Sequence, residues 1–261
     1  MMSTAPPKTV LIADDDPTNR ELVEAFLVKS GYRVIIAHHG EEAVQHANDQ
    51  PLHAILLDIS MPILDGKQAA TLIREVSVHN RTTPIAALTA YEISLDDPTM
   101  AGGTINAVFR KPVEWSKLID WINDIGHTDQ EPPDAGTNTM AETDLSAVDI
   151  NQAIIDQMRH SLPPETVMRL FSRFQEDLNR RLSELDDAIA RKDIEQIRKT
   201  THALCGIASA FGAISLEQHA RYLHNNADEI FAMIESGALD KLKTLATNTE
   251  ATLTTLFHEP T

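Results

Sequence analysis

Ala54-Ile55-Leu56-Leu57-Asp58 sets four apolar side chains in succession and closes them with an acid. An apolar run without polar alternation suits a strand covered on both faces, as strands of a parallel sheet between helices are. That run begins at His53, and comparable runs at residues 9–13, 33–37, 84–88 and 107–109 bring the expected strands to five. The stretches between them are longer and amphipathic, the pattern of repeated βα units. One opens at Asp16-Pro17, a capping acid with a proline in the first turn, and closes near Ser30-Gly31. Another carries Trp115, Leu118, Ile119 and Ile122 at helical spacing. The sequence predicts an α/β unit built on a doubly wound parallel sheet.

Residues 127–144 are Asp, Glu, Thr, Pro, Gly and Asn with almost nothing apolar, so they cannot repay the entropy of ordering and read as a flexible linker. Beyond them helical periods replace the strand runs. Val167, Leu170, Phe171, Phe174, Leu178, Leu182, Leu185 and Ile189 form one stripe after Pro163-Pro164. Ile194, Ile197, Leu204, Ile207 and Phe211 form a second, Leu216, Ala220 and Leu223 a third, and a fourth runs from Ile230 toward Leu256. An antiparallel four-helix bundle buries such stripes economically. The expected organisation is thus an α/β unit over 8–126, a linker over 127–144 and an all-α unit over 145–258.

The 261 residues carry a formal net charge of −17, which repels nucleic acid, and no basic patch offsets it. No run of eighteen apolar residues and no secretory signal is visible, so a cytoplasmic protein without membrane insertion is expected. Cys205, the single cysteine, allows neither an internal disulfide nor a Cys-rich metal site.

Ligands of an open α/β sheet bind beyond the carboxyl ends of its strands. Asp14, Asp15 and Asp16 follow the first run, Asp58 the third, Thr89 the fourth and Lys111 the fifth. Clustered carboxylates repel unless a hard cation sits among them, and Mg²⁺ accepts carboxylates, waters and phosphate oxygens. An ammonium and a hydroxyl complete a cradle for a phosphoryl group, with a carboxylate as nucleophile. Val10-Leu11-Ile12-Ala13-Asp14-Asp15, Leu57-Asp58-Ile59-Ser60-Met61-Pro62-Ile63-Leu64-Asp65-Gly66, Ala87-Leu88-Thr89-Ala90 and Lys111-Pro112 together resemble the receiver domain of bacterial response regulators. The resemblance implies a flavodoxin-like (βα)5 fold, Asp58 as phosphoacceptor, and Mg²⁺ bound by Asp15, Asp58 and the Ser60 carbonyl, with Asp14 orienting its waters. It also implies that Thr89 and Lys111 contact the phosphoryl oxygens. Val108 stands where receivers commonly place a switch aromatic, and Phe109 follows it. Asp16 is an added acid whose expected role is a helix cap.

Within Thr200-Thr201-His202-Ala203-Leu204-Cys205-Gly206 helical spacing puts His202 and Gly206 on a common side. A mid-helix glycine costs about 1 kcal/mol against alanine, and here it clears space beside the imidazole. A neutral imidazole is a competent phosphoryl acceptor, and Arg198 and Lys199 lie one turn earlier. This stretch, with Phe211-Gly212-Ala213, resembles the histidine-containing phosphotransfer (HPt) domain over about Asp149 to Leu256, which implies His202 as a second phosphoacceptor. Cys205 departs from that family's usual lysine, a charge that Lys199 would replace.

The sequence therefore predicts a two-component phosphorelay protein, a phosphoryl carrier rather than an enzyme with a separate substrate. Its expected partners are a sensor histidine kinase and a downstream response-regulator receiver, with room for a homodimer. Three rivals stand beside it. A sensor kinase would follow its histidine with an acid and a Gly-rich nucleotide loop, neither of which occurs after His202. A DNA-binding regulator would need a basic recognition helix. A receiver-gated docking module would keep both folds and leave one acceptor unused.

Overall fold

The computed structural model describes residues 8–89, 103–125, 148–235 and 237–258. The chain divides into two compact units, Met1–Asn138 and Thr139–Thr261. The predicted linker, residues 127–144, lies outside the described residues.

In the first unit the apolar runs form β1 (Thr9–Ala13), β2 (Arg33–Ala37), β3 (Ala54–Asp58), β4 (Ile85–Thr89) and β5 (Ala107–Arg110). They make one parallel sheet in the order β2-β1-β3-β4-β5. Helices α1 (Pro17–Lys29), α2 (Gly40–Asp49), α3 (Gly66–Val76) and α4 (Trp115–Asp124) flank it. This is the doubly wound, flavodoxin-like arrangement expected. The chain leaves β1 toward β2 on one side and returns to β3 on the other, so a crevice opens at the carboxyl ends of β1 and β3. β3 and β4 are shifted one residue from expectation, so that Asp58 and Thr89 are their last residues rather than the first beyond them, and β5 runs one residue further, to Arg110. The ladder decides this, because Asp58 pairs with Leu88, Thr89 pairs with Arg110, and Ile59 N donates to Leu88 O at 3.1 Å.

Leu11, Ala13, Ile55, Leu57, Ile85 and Ala87 bury one sheet face against Ala43, Ala47, Ala69, Ala70 and Ile73 of α2 and α3. Elsewhere in the unit, Phe26 of α1 stacks on Trp115 of α4 with ring centroids 4.3 Å apart. Asp16 caps α1 as expected, its Oδ1 accepting from Thr18 N at 2.9 Å and Asn19 N at 3.0 Å. Asp65 and Gln68 close a reciprocal capping box at the start of α3. Gly66 then passes so near β3 that a Cβ there would stand 2.2 Å from the Asp58 carbonyl oxygen.

The second unit holds α5 (Gln152–Ser161), α6 (Pro164–Ala190), α7 (Ile194–Ala210), α8 (Ile214–Asn225), a 3-10 turn (Ala227–Glu229), α9 (Ile230–Glu235) and α10 (Ala238–His258). The long stripe predicted after Pro163-Pro164 is α6, with Val167, Leu170, Phe171, Phe174, Leu178 and Leu185 buried. Contacts run from α6 to α7, α7 to α8, α8 to α10 and α10 back to α6, around Phe171, Phe174, Phe211 and Phe257. Two features go beyond the four expected stripes. The short α5 buries Ile154, Ile155 and Met158 and packs on α6 and α10. The fourth stripe is also divided between α9 and α10, because Gly237 takes φ +87°, which no right-handed helix accommodates.

Gly66→Ala is expected to destabilise the first unit by about 1–3 kcal/mol, because backbone must move to admit the methyl group. Both tryptophans, Trp115 and Trp121, lie in this unit. Urea denaturation followed by tryptophan fluorescence therefore reads the loss there.

Candidate functional site

Three strand ends of the first unit converge on one charge. Lys111, immediately after β5, is buried, and its Nζ donates to Asp14 Oδ2 at 2.8 Å and to Asp58 Oδ2 at 2.9 Å. Its backbone N–H donates to Thr89 O at 2.7 Å, which fixes the side chain's point of departure. Asp14 follows β1 and is fully buried, Asp58 ends β3 at 6% exposure, and Thr89 ends β4 at 2%. Asp15 is exposed beside them. Ser60 N donates to Asp58 Oδ1 at 3.3 Å, turning the loop after β3 back over its acid.

Carboxylate oxygens of Asp14, Asp15 and Asp58 lie within 4.8 Å of one another. Once Asp58 is ionised, three carboxylates and one ammonium leave two negative charges uncompensated (three minus one), which fits a divalent hard cation. Burial raises the Asp58 pKa to about 7; Lys111 opposes this and the Asp14 carboxylate adds to it. Burial works against the Lys111 cation, but Asp14 and Asp58 overrule it and hold its pKa above the ordinary lysine value. Val108 is half-buried, while Phe109 is buried and meets Trp121 edge-on at 5.8 Å.

In the second unit His202 and Gly206 are half-buried on α7, Lys199 is exposed, and Cys205 is buried at 3% exposure. Burial pushes the Cys205 thiol up to about 12, Glu217 adding and Arg221 opposing, so it stays protonated and packs as a small hydrophobe. Sequence reasoning did not single out the α8 residues beside this helix. His224 meets His202 with ring centroids 5.5 Å apart, and its Nδ1 lies 3.0 Å from Arg198 O. Arg221 is held by Glu217, with Nε 2.8 Å from Oε1, and its charge reaches both Cys205 and His224. Arg198 pairs with Asp228 at 2.5 Å.

A model of the response regulator receiver domain matches residues 10–123, and a model of the Hpt domain matches residues 169–252. The chain is a receiver domain followed by an Hpt domain. Signal transduction histidine-protein kinase BarA of Shigella flexneri is 34% identical over 110 residues, 42% of this chain and 12% of BarA. Sensory/regulatory protein RpfC of Xanthomonas campestris is 24% identical over 221 residues, 84% of this chain and 30% of RpfC. The chain thus spans a minor part of these relatives. The receiver domain of sensor histidine kinase PA1611 from Pseudomonas aeruginosa, solved with a magnesium ion in its active-site cleft, is 34% identical, with a TM-score of 0.42. That match covers 46% of this chain and 99% of the solved domain. Receiver and Hpt domains in one chain make it a two-component phosphorelay protein. Among the described residues no helix is long and apolar enough to cross a membrane.

Without metal, folded Asp58 keeps its proton where the unfolded chain, near pKa 3.8, has lost it. The folded state then binds more protons, so the Asp58 contribution makes the receiver lose stability as pH rises from about 4 to about 7. The slope is at most about 1.4 kcal/mol per pH unit. Asp58→Asn is expected to flatten that slope in chelated buffer, read by tryptophan-monitored urea denaturation.

Proposed function

We propose that this chain carries phosphoryl groups on two residues, Asp58 of the receiver and His202 of the Hpt domain. The observation that carries the reading is the Lys111 ammonium bonded at once to Asp58 and Asp14. A cation shared by a nucleophilic carboxylate and its neighbour is placed to follow charge onto the incoming phosphoryl oxygens. An oxygen of Asp58 attacks phosphorus as the bond to a donor histidine breaks, and the electron pair leaves on the donor nitrogen. Thr89 donates its hydroxyl to a phosphoryl oxygen and Lys111 pairs with another.

Asp15, Asp58 and the Ser60 carbonyl are the residues that would hold Mg²⁺, with Asp14 orienting its waters, and the ion would neutralise charge on the phosphoryl oxygens. Their support is the close grouping of the three acids. His202 offers an imidazole on α7, with Gly206 one turn further along the same side. Arg221, whose charge already acts on Cys205, takes over the role of the lysine absent there, together with Lys199, exposed on α7. The domain bounds proposed are 8–126 for the receiver, 127–144 for the linker and 145–258 for the Hpt domain. The phosphoryl donor is a sensor histidine kinase, the final acceptor is an aspartate on a separate regulator, and the chain works in the cytoplasm as a carrier.

Phosphorylating the purified chain and its Asp58→Asn and His202→Gln variants tests both sites. Each variant is expected to lose one class of label, the base-labile acyl phosphate with Asp58→Asn and the acid-labile phosphohistidine with His202→Gln. Label of one class only in the unaltered chain would replace the relay with a docking module having one silent acceptor. Mg²⁺ is expected to raise receiver stability by about 2.7 kcal/mol at a hundred times its Kd. Asp15→Asn should shift that titration to higher Mg²⁺ with little change in metal-free stability.

A further inference from the structure

We propose that Asp228 is a positioning residue that engages the Arg198 guanidinium while His202 is bare and yields it to the phosphoryl group once His202 is modified. The inference rests on reading His202 as the phosphoryl acceptor. Arg198 stands four residues before His202 on α7, so the two side chains leave the same side of the helix. Its Nη2 donates to Asp228 Oδ2 at 2.5 Å. The Arg198 charge is also felt at His224, whose ring centroid lies 5.5 Å from that of His202.

The carboxylate is the fixed member of this pair. Asp228 belongs to the 3-10 turn Ala227–Glu229, and Ala227 and Ile230 on either side of it are buried. The turn packs on α7, and Glu229 N donates to Asn226 O at 2.9 Å within it. Arg198 instead carries its charge at the end of a long side chain that is 39% exposed, against 76% for Asp228. An ion pair this open to water is weak, about a fivefold preference at most, so a stronger anion displaces it. A phosphoryl group is that anion. It carries about twice the charge of a carboxylate, and its oxygens match the parallel N–H groups of a guanidinium. Arg221 is less available, since its side chain is 23% exposed and both Nε and Nη2 reach Glu217 Oε1.

The consequence concerns how readily the group moves on. When His202 attacks an aspartyl phosphate, the N–P bond forms, the acyl O–P bond breaks and the carboxylate leaves with the electron pair. Arg198 then turns from Asp228 to the phosphoryl oxygens, and the pairing it gives up is subtracted from the stabilisation gained. Phosphohistidine is left less stable than Arg198 alone would make it, which favours onward transfer to the next aspartate. Asp228 thus tunes the transfer without touching the reacting atoms.

The test uses the full chain carrying Asp58→Asn, labelled with subsaturating phosphoramidate, with a His202→Gln control to identify the His202 label. In that reaction the imidazole nitrogen displaces ammonia from phosphorus. Asp228→Asn is expected to speed base-stable labelling of His202 by about two- to fivefold, the range an exposed ion pair commands. It is also expected to lower the pH at which the phosphoryl group takes up a proton, read from phosphorus-31 shifts. Arg198→Gln should move both readouts the other way, and Asp228→Glu, which keeps the carboxylate, should restore wild-type values. Adding Asp228→Asn to Arg198→Gln should change neither. That double variant separates release of Arg198 from the mere loss of a negative charge near His202. An equal gain from Asp228→Asn with and without Arg198 would overturn the inference, as would unchanged labelling and phosphorus-31 shifts in Asp228→Asn. No label on His202 with Arg198 and Asp228 intact would overturn the acceptor reading itself, and this inference with it.

Discussion

The receiver depends on an ammonium that three strand ends must share. Lys111 follows β5, yet it bonds acids that belong to β1 and β3, reaching across the end of β4. Two carboxylates that are 0% and 6% exposed would repel each other and forfeit their hydration if no cation lay between them. The pairing therefore holds the carboxyl edge of the sheet together and leaves it short of positive charge. That residual negative charge suits a divalent cation, in keeping with the Mg²⁺ proposed at these acids. Stability and chemistry draw on the same three side chains.

Around this centre the backbone does much of the placement. Gly66 lets the start of α3 press against the Asp58 carbonyl, and Ser60 N turns back to Asp58 Oδ1. The Thr89 carbonyl holds the Lys111 amide, so hydroxyl and ammonium leave adjacent strand ends at a fixed separation. The Hpt unit solves a different problem. Its α7 packs Leu204, Cys205 and Ile207 inward and leaves His202 half-buried. The neighbouring α8 then brings Arg221 and His224 alongside.

Much of this was legible from residues alone. The apolar runs located β1 and β2 to the residue, each a polar residue followed by four apolar ones. β3 and β4 lay one residue later than the runs suggested and β5 ran one residue further, since ladder register carries the strands through polar Asp58, Thr89 and Arg110. The acids, hydroxyl and lysine at the strand ends were legible because sheet topology sends all those ends to one edge. In the helical unit the α6 stripe was plain over its 27 residues, whereas α5, ten residues long, offered too few apolar positions to declare a period. The break at Gly237 was missed because the apolar pattern continues on both sides of it.

Arg221 and His224 show where local pattern stops being informative. His202 precedes Gly212 by ten residues and His224 follows it by twelve (212 minus 202, 224 minus 212), so folding α7 and α8 back on each other at that turn brings the two rings together. Nothing in the run around His224 distinguishes it from a solvated histidine until that hairpin closes. The sequence by itself determined the two fold classes, the strand-end acids and lysine, and the helix that bears His202, because periodicity and strand order act over short stretches. Only the tertiary structure decided that Lys111 spans Asp14 and Asp58, that Cys205 is an inert buried thiol, and that His224 and Arg221 flank His202. Those contacts join residues far apart in the chain, and their geometry exists only once the elements have packed.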